Sequence, residues 1–136
     1  MLFRSGQALS LQPEGPGYEV ATIGGPIEGG GLPIPGFGDV RWVDVAATID
    51  MESKTSALFL FNRNLEKPQD VEVIWRDATP STVKHFLTIT GPDLKAGNTF
   101  ADPKRVTPQE LEKPKAGARM ALQLPARSYS VLSLAM

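Results

Sequence analysis

Residues 40–49 read VRWVDVAATI, and this stretch decides the fold. Val43, Val45, Ala47 and Ile49 fall on one side of an extended chain, and Trp42, Asp44, Ala46 and Thr48 on the other. An alternation of period two is the signature of a half-buried β-strand, and no 3.6-residue period competes with it here. The same alternation recurs on both sides. Upstream lie Ala8 to Gln12 and Tyr18 to Ile23. Downstream lie Leu58 to Arg63, Val71 to Arg76, Val83 to Thr90, Met120 to Leu124 and Tyr129 to Leu134. LFLFNR, at 58–63, is apolar enough for a central strand covered on both faces for part of its length. Polar turns separate the runs, as in DMESKTS at 50–56 and Pro125-Ala126-Arg127. About eight strands at regular spacing predict an all-β antiparallel sandwich with no substantial helix. One short helical candidate is TPQELEK at 107–113, with Thr107 as a cap, Pro108 at the first helical position and Pro114 as a stop.

Length and composition bound the rest. The chain has 136 residues, which predicts a single domain over 1–136 with core enough to fold without metals or disulfides. It has no Cys, which excludes a disulfide scaffold, Cys-ligated zinc and thiol catalysis. Fourteen basic and fifteen acidic side chains give a formal net charge of −1, without the basic stripe that a nucleic-acid surface requires. No apolar run approaches the ~18 residues of a membrane span, and the N-terminus lacks the apolar stretch of a signal peptide. The expectation is a soluble domain; the compartment stays open.

Glycine and proline concentrate in GGPIEGGGLPIPGFG at 24–38, which reads as a loose loop. It lacks the Lys-Ser/Thr ending of a phosphate cradle, so a nucleotide site is not expected. A second long polar interruption spans 91–117. Loops of that length in a compact domain usually have a function.

Candidate chemistry is sparse. Glycoside hydrolysis needs two carboxylates in register, yet the acids here fall in turns or alternate outward. Asp44, mid-strand between Trp42 and Ala46, is the least ordinary of them and fits a hydrogen-bonded or solvent-facing role. His85 is the only His, has no companions at ligand spacing and reads as an ordinary strand residue. No G-x-S-x-G nucleophile elbow is present. No catalytic residue, metal or cofactor is expected. Among the aromatics, Trp75 alternates in phase with Val71 and Val73, and Tyr129 in phase with Val131, which points both inward. Trp42 lies out of phase with Val43 and Val45, leaving it as a candidate for stacking a sugar ring, although packing in a core or interface is favoured for all of them.

DLKAGNTFADPKRVTP at 93–108 and the closing LPARSYSVLSL at 124–134 resemble the C-terminal β-sandwich of glycoside hydrolase family 51 α-L-arabinofuranosidases. VDVAATID at 43–50 and ALFLFNRN at 57–64 resemble that family's paired strands, including the strand ending in Asn-Arg. Leu2 to Gln12 is similar to the stretch in which the family's chain leaves its barrel, so residues 1–12 read as a linker-like strand entering the sandwich. The main departure is the 24–38 insertion, usually shorter in the family. The resemblance implies a non-catalytic accessory domain of an enzyme that removes terminal arabinofuranosyl groups from arabinose-containing polysaccharides. It implies, too, that the catalytic glutamates lie in a (β/α)8 barrel. Such a barrel takes about 250 residues, more than this chain has. The long loop would dock that barrel through Asp93, Leu94, Lys95, Asn98, Thr99 and Phe100. Two further readings stay open: a stand-alone carbohydrate-binding module using Trp42, and a subunit completing a separately encoded barrel. The family also lends an N-terminal segment to the sandwich, so an unpaired strand edge is expected here. Either the chain's own N-terminal residues or a second copy of itself should cover it.

Overall fold

The computed structural model describes residues 7–8, 20–22, 39–76 and 78–136, with side chains described from Trp42 onward. Ten strands occur among them: β1 (Gln7–Ala8), β2 (Val20–Thr22), β3 (Asp39–Arg41), β4 (Val43–Asp50), β5 (Thr55–Asn62), β6 (Gln69–Ile74), β7 (Thr82–Ile89), β8 (Gln109–Glu110), β9 (Arg119–Leu124) and β10 (Ser128–Ala135). Six form one sheet in the order β1-β4-β5-β10-β7-β8, while β6 pairs with β9 and β2 with β3. Every pairing is antiparallel. The architecture is the expected all-β sandwich. The 24–38 loop lies outside the described residues.

Alternation explains why these segments pair as they do. In β4, Val43, Ala47 and Ile49 are buried; in β9, Met120, Leu122 and Leu124 are. The inner face of the large sheet contributes Val43, Ala47, Leu58, Leu60, Val83, Phe86, Leu132 and Leu134 to one core. Val71, Met120, Leu122 and Leu124 meet them from the β6–β9 pair, and Trp42, Val73 and Trp75 pack against the cluster from its margin. Each fully buried Leu or Val contributes roughly 1.5–3 kcal/mol from apolar burial, and this is what holds the two layers together.

Four expectations are corrected. Residues 40–49 do not form one strand: the chain bends at Trp42, whose carbonyl accepts from Arg63 N at 2.8 Å, so β3 pairs with β2 while β4 pairs with β5. The helical candidate at 107–113 is extended instead. Gln109 and Glu110 pair with Thr88 and Leu87, and Leu111 N donates to Phe86 O at 2.8 Å. A seven-residue segment with Pro108 inside it and Pro114 directly after it gains little from helix, because nucleation is costly, whereas the edge of β7 offers ready partners. Tyr129 points outward and is 43% exposed, because β10 buries Ser128, Ser130, Leu132 and Leu134 instead. Finally, β5 is central but covered on one face only: Leu58 and Leu60 are buried, Phe59 is half-buried and Phe61 is exposed.

Both edges of the large sheet are short. β1 covers β4 through Gln7↔Ile49 and Ala8↔Thr48, and β8 covers two residues of β7. Part of the expected edge protection therefore comes from the chain's own N-terminal residues. Among the described residues the β6–β9 pair has no third strand.

Candidate functional site

The loop after β7 is a built structure. Asp93 accepts the Lys95 amide at Oδ1 (2.7 Å), and its carbonyl accepts the Ala96 amide (3.2 Å). Its Oδ2 lies 3.6 Å from the Arg105 guanidinium. Asn98 closes the loop across eight residues: its Nδ2 donates to Val106 O at 2.9 Å and its Oδ1 accepts Val106 N at 2.7 Å. Thr99 makes a reciprocal pair with Asp102: Thr99 N donates to Asp102 O and Asp102 N donates to Thr99 Oγ1, both at 3.0 Å. Gly91 opens the loop where a Cβ would meet Ala96 Cβ at 3.0 Å and Asp93 O at 3.2 Å, so only a glycine sits there without a shift. Asp93, Asn98 and Thr99 thus spend their polar atoms inside the loop, satisfying backbone groups that have no ladder to join. Leu94 and Phe100 are left projecting, with Phe100 wholly exposed.

Arg127 fastens this loop to the sandwich. It occupies the left-handed region (φ 52°) in the β9–β10 turn. Its guanidinium donates to the carbonyls of Leu65, Gly91 and Pro92, joining the β5–β6 turn to the start of the loop. Thr90 Oγ1 adds a bond to Ala126 O at 3.0 Å. At the same end, Asn62 is fully buried. Its Nδ2 donates to Pro125 O (2.8 Å) and Lys67 O (3.2 Å), and its Oδ1 accepts Asn64 N (2.9 Å). The strand ending in Asn-Arg therefore has a physical reason: the Asn holds two turns together. Arg63, its neighbour, donates to Asp44 at 2.8 Å and lies 5.8 Å from the Phe61 ring centroid.

Arranged this way, the described residues carry no catalytic constellation. Asp44 faces outward in its pair with Arg63. His85 is exposed on β7 with Nδ1 3.4 Å from Glu110, which also holds Lys113 at 3.2 Å. That carboxyl is lowered from its ordinary pKa, by Lys113 first and His85 second. An open groove between residues 111–115 and β9 contains one acid, Glu112, where glycoside hydrolysis needs two. Among the described residues no three His, Cys, Asp or Glu side chains group as metal ligands, and no helix is long and apolar enough to cross a membrane. Trp42, the candidate for sugar stacking, is half-buried against the core.

What sequence reasoning missed is the outer face of the large sheet. Phe61 (42%), Tyr129 (43%), Leu87 (37%) and Ile89 (40%) are large apolar side chains left exposed together. The signal for it was the second apolar set in LFLFNR, opposite Leu58 and Leu60.

Comparison with known proteins gives a consistent result. The sequence profile of the α-L-arabinofuranosidase C-terminal domain matches residues 1–128. Among solved structures, AbfB, a family 51 α-L-arabinofuranosidase from Bifidobacterium longum, superposes with a TM-score of 0.65 at 25% identity, over 74% of this chain and 20% of that one. The family 51 arabinofuranosidase of Xanthomonas axonopodis pv. citri gives 0.62 at 24% identity, over 73% and 20%. An α-L-arabinofuranosidase of Thermotoga maritima gives 0.61 at 22%, over 72% and 20%. No curated protein matches the chain. The chain thus spans about a fifth of these solved relatives, and the match leaves their catalytic barrel uncovered. With the profile matching nearly end to end on a sandwich of the same shape, the chain belongs to the α-L-arabinofuranosidase C-terminal domain family.

Proposed function

We propose that this domain serves as the non-catalytic partner of a (β/α)8 barrel in an α-L-arabinofuranosidase that releases terminal arabinofuranosyl groups from arabinose-containing polysaccharides. The observation that carries this reading is the correspondence of the chain to one fifth of family 51 relatives, on their C-terminal domain. In the proposed arrangement, the loop bearing Asp93, Leu94, Lys95, Asn98, Thr99 and Phe100 docks on the barrel. Its internal hydrogen bonds hold the loop in one shape, so little conformational entropy is left to lose on docking, and Leu94 and Phe100 stand ready to bury apolar surface. The half-burial of Trp42 favours a packing role over sugar stacking. The isolated chain, assayed on an aryl α-L-arabinofuranoside, should give no turnover above buffer. Turnover by the purified chain would overturn the reading.

A further inference from the structure

The outer face of the large sheet is organised in rows. Register places Asp44, Phe61, Tyr129 and Ile89 side by side across β4, β5, β10 and β7. The next outward row is Ala46, Phe59, Val131 and Leu87; the one after it is Thr48, Ala57, Ser133 and His85. Two rows are therefore apolar on β5, β10 and β7, and the third turns polar. The Asp44–Arg63 ion pair closes the other end, with the Arg63 cation lying towards Phe61. Phe61 and Tyr129 pack against each other, with ring centroids 6.5 Å apart and planes tilted by 52°.

An antiparallel sheet with one face in water normally alternates apolar-in and polar-out. Here Phe61, Tyr129, Ile89, Leu87, Phe59 and Val131 break that pattern on adjacent strands. Cross-strand neighbours lie ~5 Å apart and same-face neighbours along a strand ~7 Å apart, so the patch covers a few hundred Å², a size that usually marks a binding surface. It is an open sheet face, outside the groove along β9, which suits a protein surface better than a small ligand, for which a concave pocket is the rule. An apolar aromatic centre with a charged rim is the composition of a protein interface.

We infer that this outer face seats the catalytic barrel, with the loop after β7 as its rim. The inference rests on the accessory-domain reading above. Two observations select the barrel over other occupants. Solved relatives carry some four fifths of their length outside the part matched here, so a large covalent neighbour is the expected partner of a chain in this family. The face also runs into the loop at one end: Ile89 lies two residues before Gly91, and Arg127 binds the loop start to the turn that precedes Tyr129. A stable interface takes ~800 Å² per partner, more than a patch of a few hundred Å² supplies, so the loop is needed beside the face.

The test is co-expression of this chain with a separate polypeptide carrying the barrel and N-terminal segment of a family 51 arabinofuranosidase. Capture of that polypeptide is then measured for the unmodified chain, for F61S/L87S on the face and for L94S/F100S on the loop. The face variant should capture at least ~10-fold less and the loop variant about threefold less, since a few central aromatic contacts carry most interface energy. Far-UV circular dichroism reports whether each variant folds. Hydroxyl-radical footprinting of Tyr129 and Phe61 in the unmodified complex gives the same answer without substitution: protection supports the inference, and undiminished oxidation overturns it. Full capture by the face variant with loss in the loop variant overturns the inference and leaves the accessory-domain reading standing. Failure of the unmodified chain to capture the barrel overturns that reading itself. If F61S/L87S instead abolishes self-association or arabinan binding with capture unchanged, the face belongs to a second copy or to a glycan, and the inference fails.

Discussion

The two faces of the β5–β10 pair are built from neighbouring residues yet obey opposite rules. Inward, Leu58, Leu60, Leu132 and Leu134 are buried beside small hydroxyls: Ser128 donates to Pro125 O at 2.6 Å, and Ser130 shares a 2.8 Å bond with Thr88. Outward, with no opposing layer among the described residues, stand Phe61, Tyr129 and the half-buried Phe59, the aromatic side chains of the two strands. Size and hydrophobicity therefore do not tell inside from outside here. The inner face is chosen by fit to the β6–β9 layer, and serine fits where the turns at Asn62 and Pro125 leave little room. The outer face retains apolar bulk exposed to solvent, which is the expected state of a surface reserved for another partner.

That contrast can be broken by substitution, and the largest effect belongs to the inner face. Leu132→Ala, at a position with no exposure, should cost about 2–5 kcal/mol of stability, read as a lowered midpoint in urea unfolding. Next comes Asn62→Ala, which takes their donor and acceptor from the Lys67 carbonyl and the Asn64 amide and leaves the Pro125 carbonyl with Ser128 alone. A loss of about 1–3 kcal/mol is expected, with earlier protease cutting at the β5–β6 and β9–β10 turns. Phe61→Ser should be nearly neutral by comparison, within about 0.5 kcal/mol in the same unfolding experiment, while dye binding to exposed apolar surface falls. A Phe61→Ser cost as large as that of Leu132→Ala would show that the outer face is part of the folding core.

The smallest effect concerns Glu110, on the edge strand β8. Its carboxyl titrates lower in the folded chain, held by Lys113 and His85. A depressed folded pKa contributes stability above the unfolded value of about 4.3, and the contribution disappears as pH falls through the lower folded value. Glu110→Gln should therefore melt slightly below the parent at neutral pH, and the two curves should converge in acid. A difference that grows in acid would contradict the assignment.

Much of this is legible in the sequence alone. The alternation in residues 43–50 and 71–75 identified strands and their buried sides, and that in 120–124 a strand, since a strand facing one core layer must repeat every two residues. The family resemblance of the motif at 93–108 was legible, but not that its Asp, Asn and Thr spend their polar atoms tying the loop's own backbone together. Tyr129 and the 107–113 segment were not legible, for different reasons. Which side of β10 faces in depends on its register against Asn62 and Thr88, on strands distant in sequence. Whether TPQELEK coils or extends depends on the open edge of β7, a partner that local propensity does not contain.

The sequence by itself determined the strand periods, the absence of thiol chemistry and the membership in a family of accessory sandwiches, because these follow from local pattern and motif. Only the tertiary structure decided that serines line the end of the core while a Phe–Tyr pair faces outward. That choice is made by the packing of one layer on another, and no stretch of chain carries it alone.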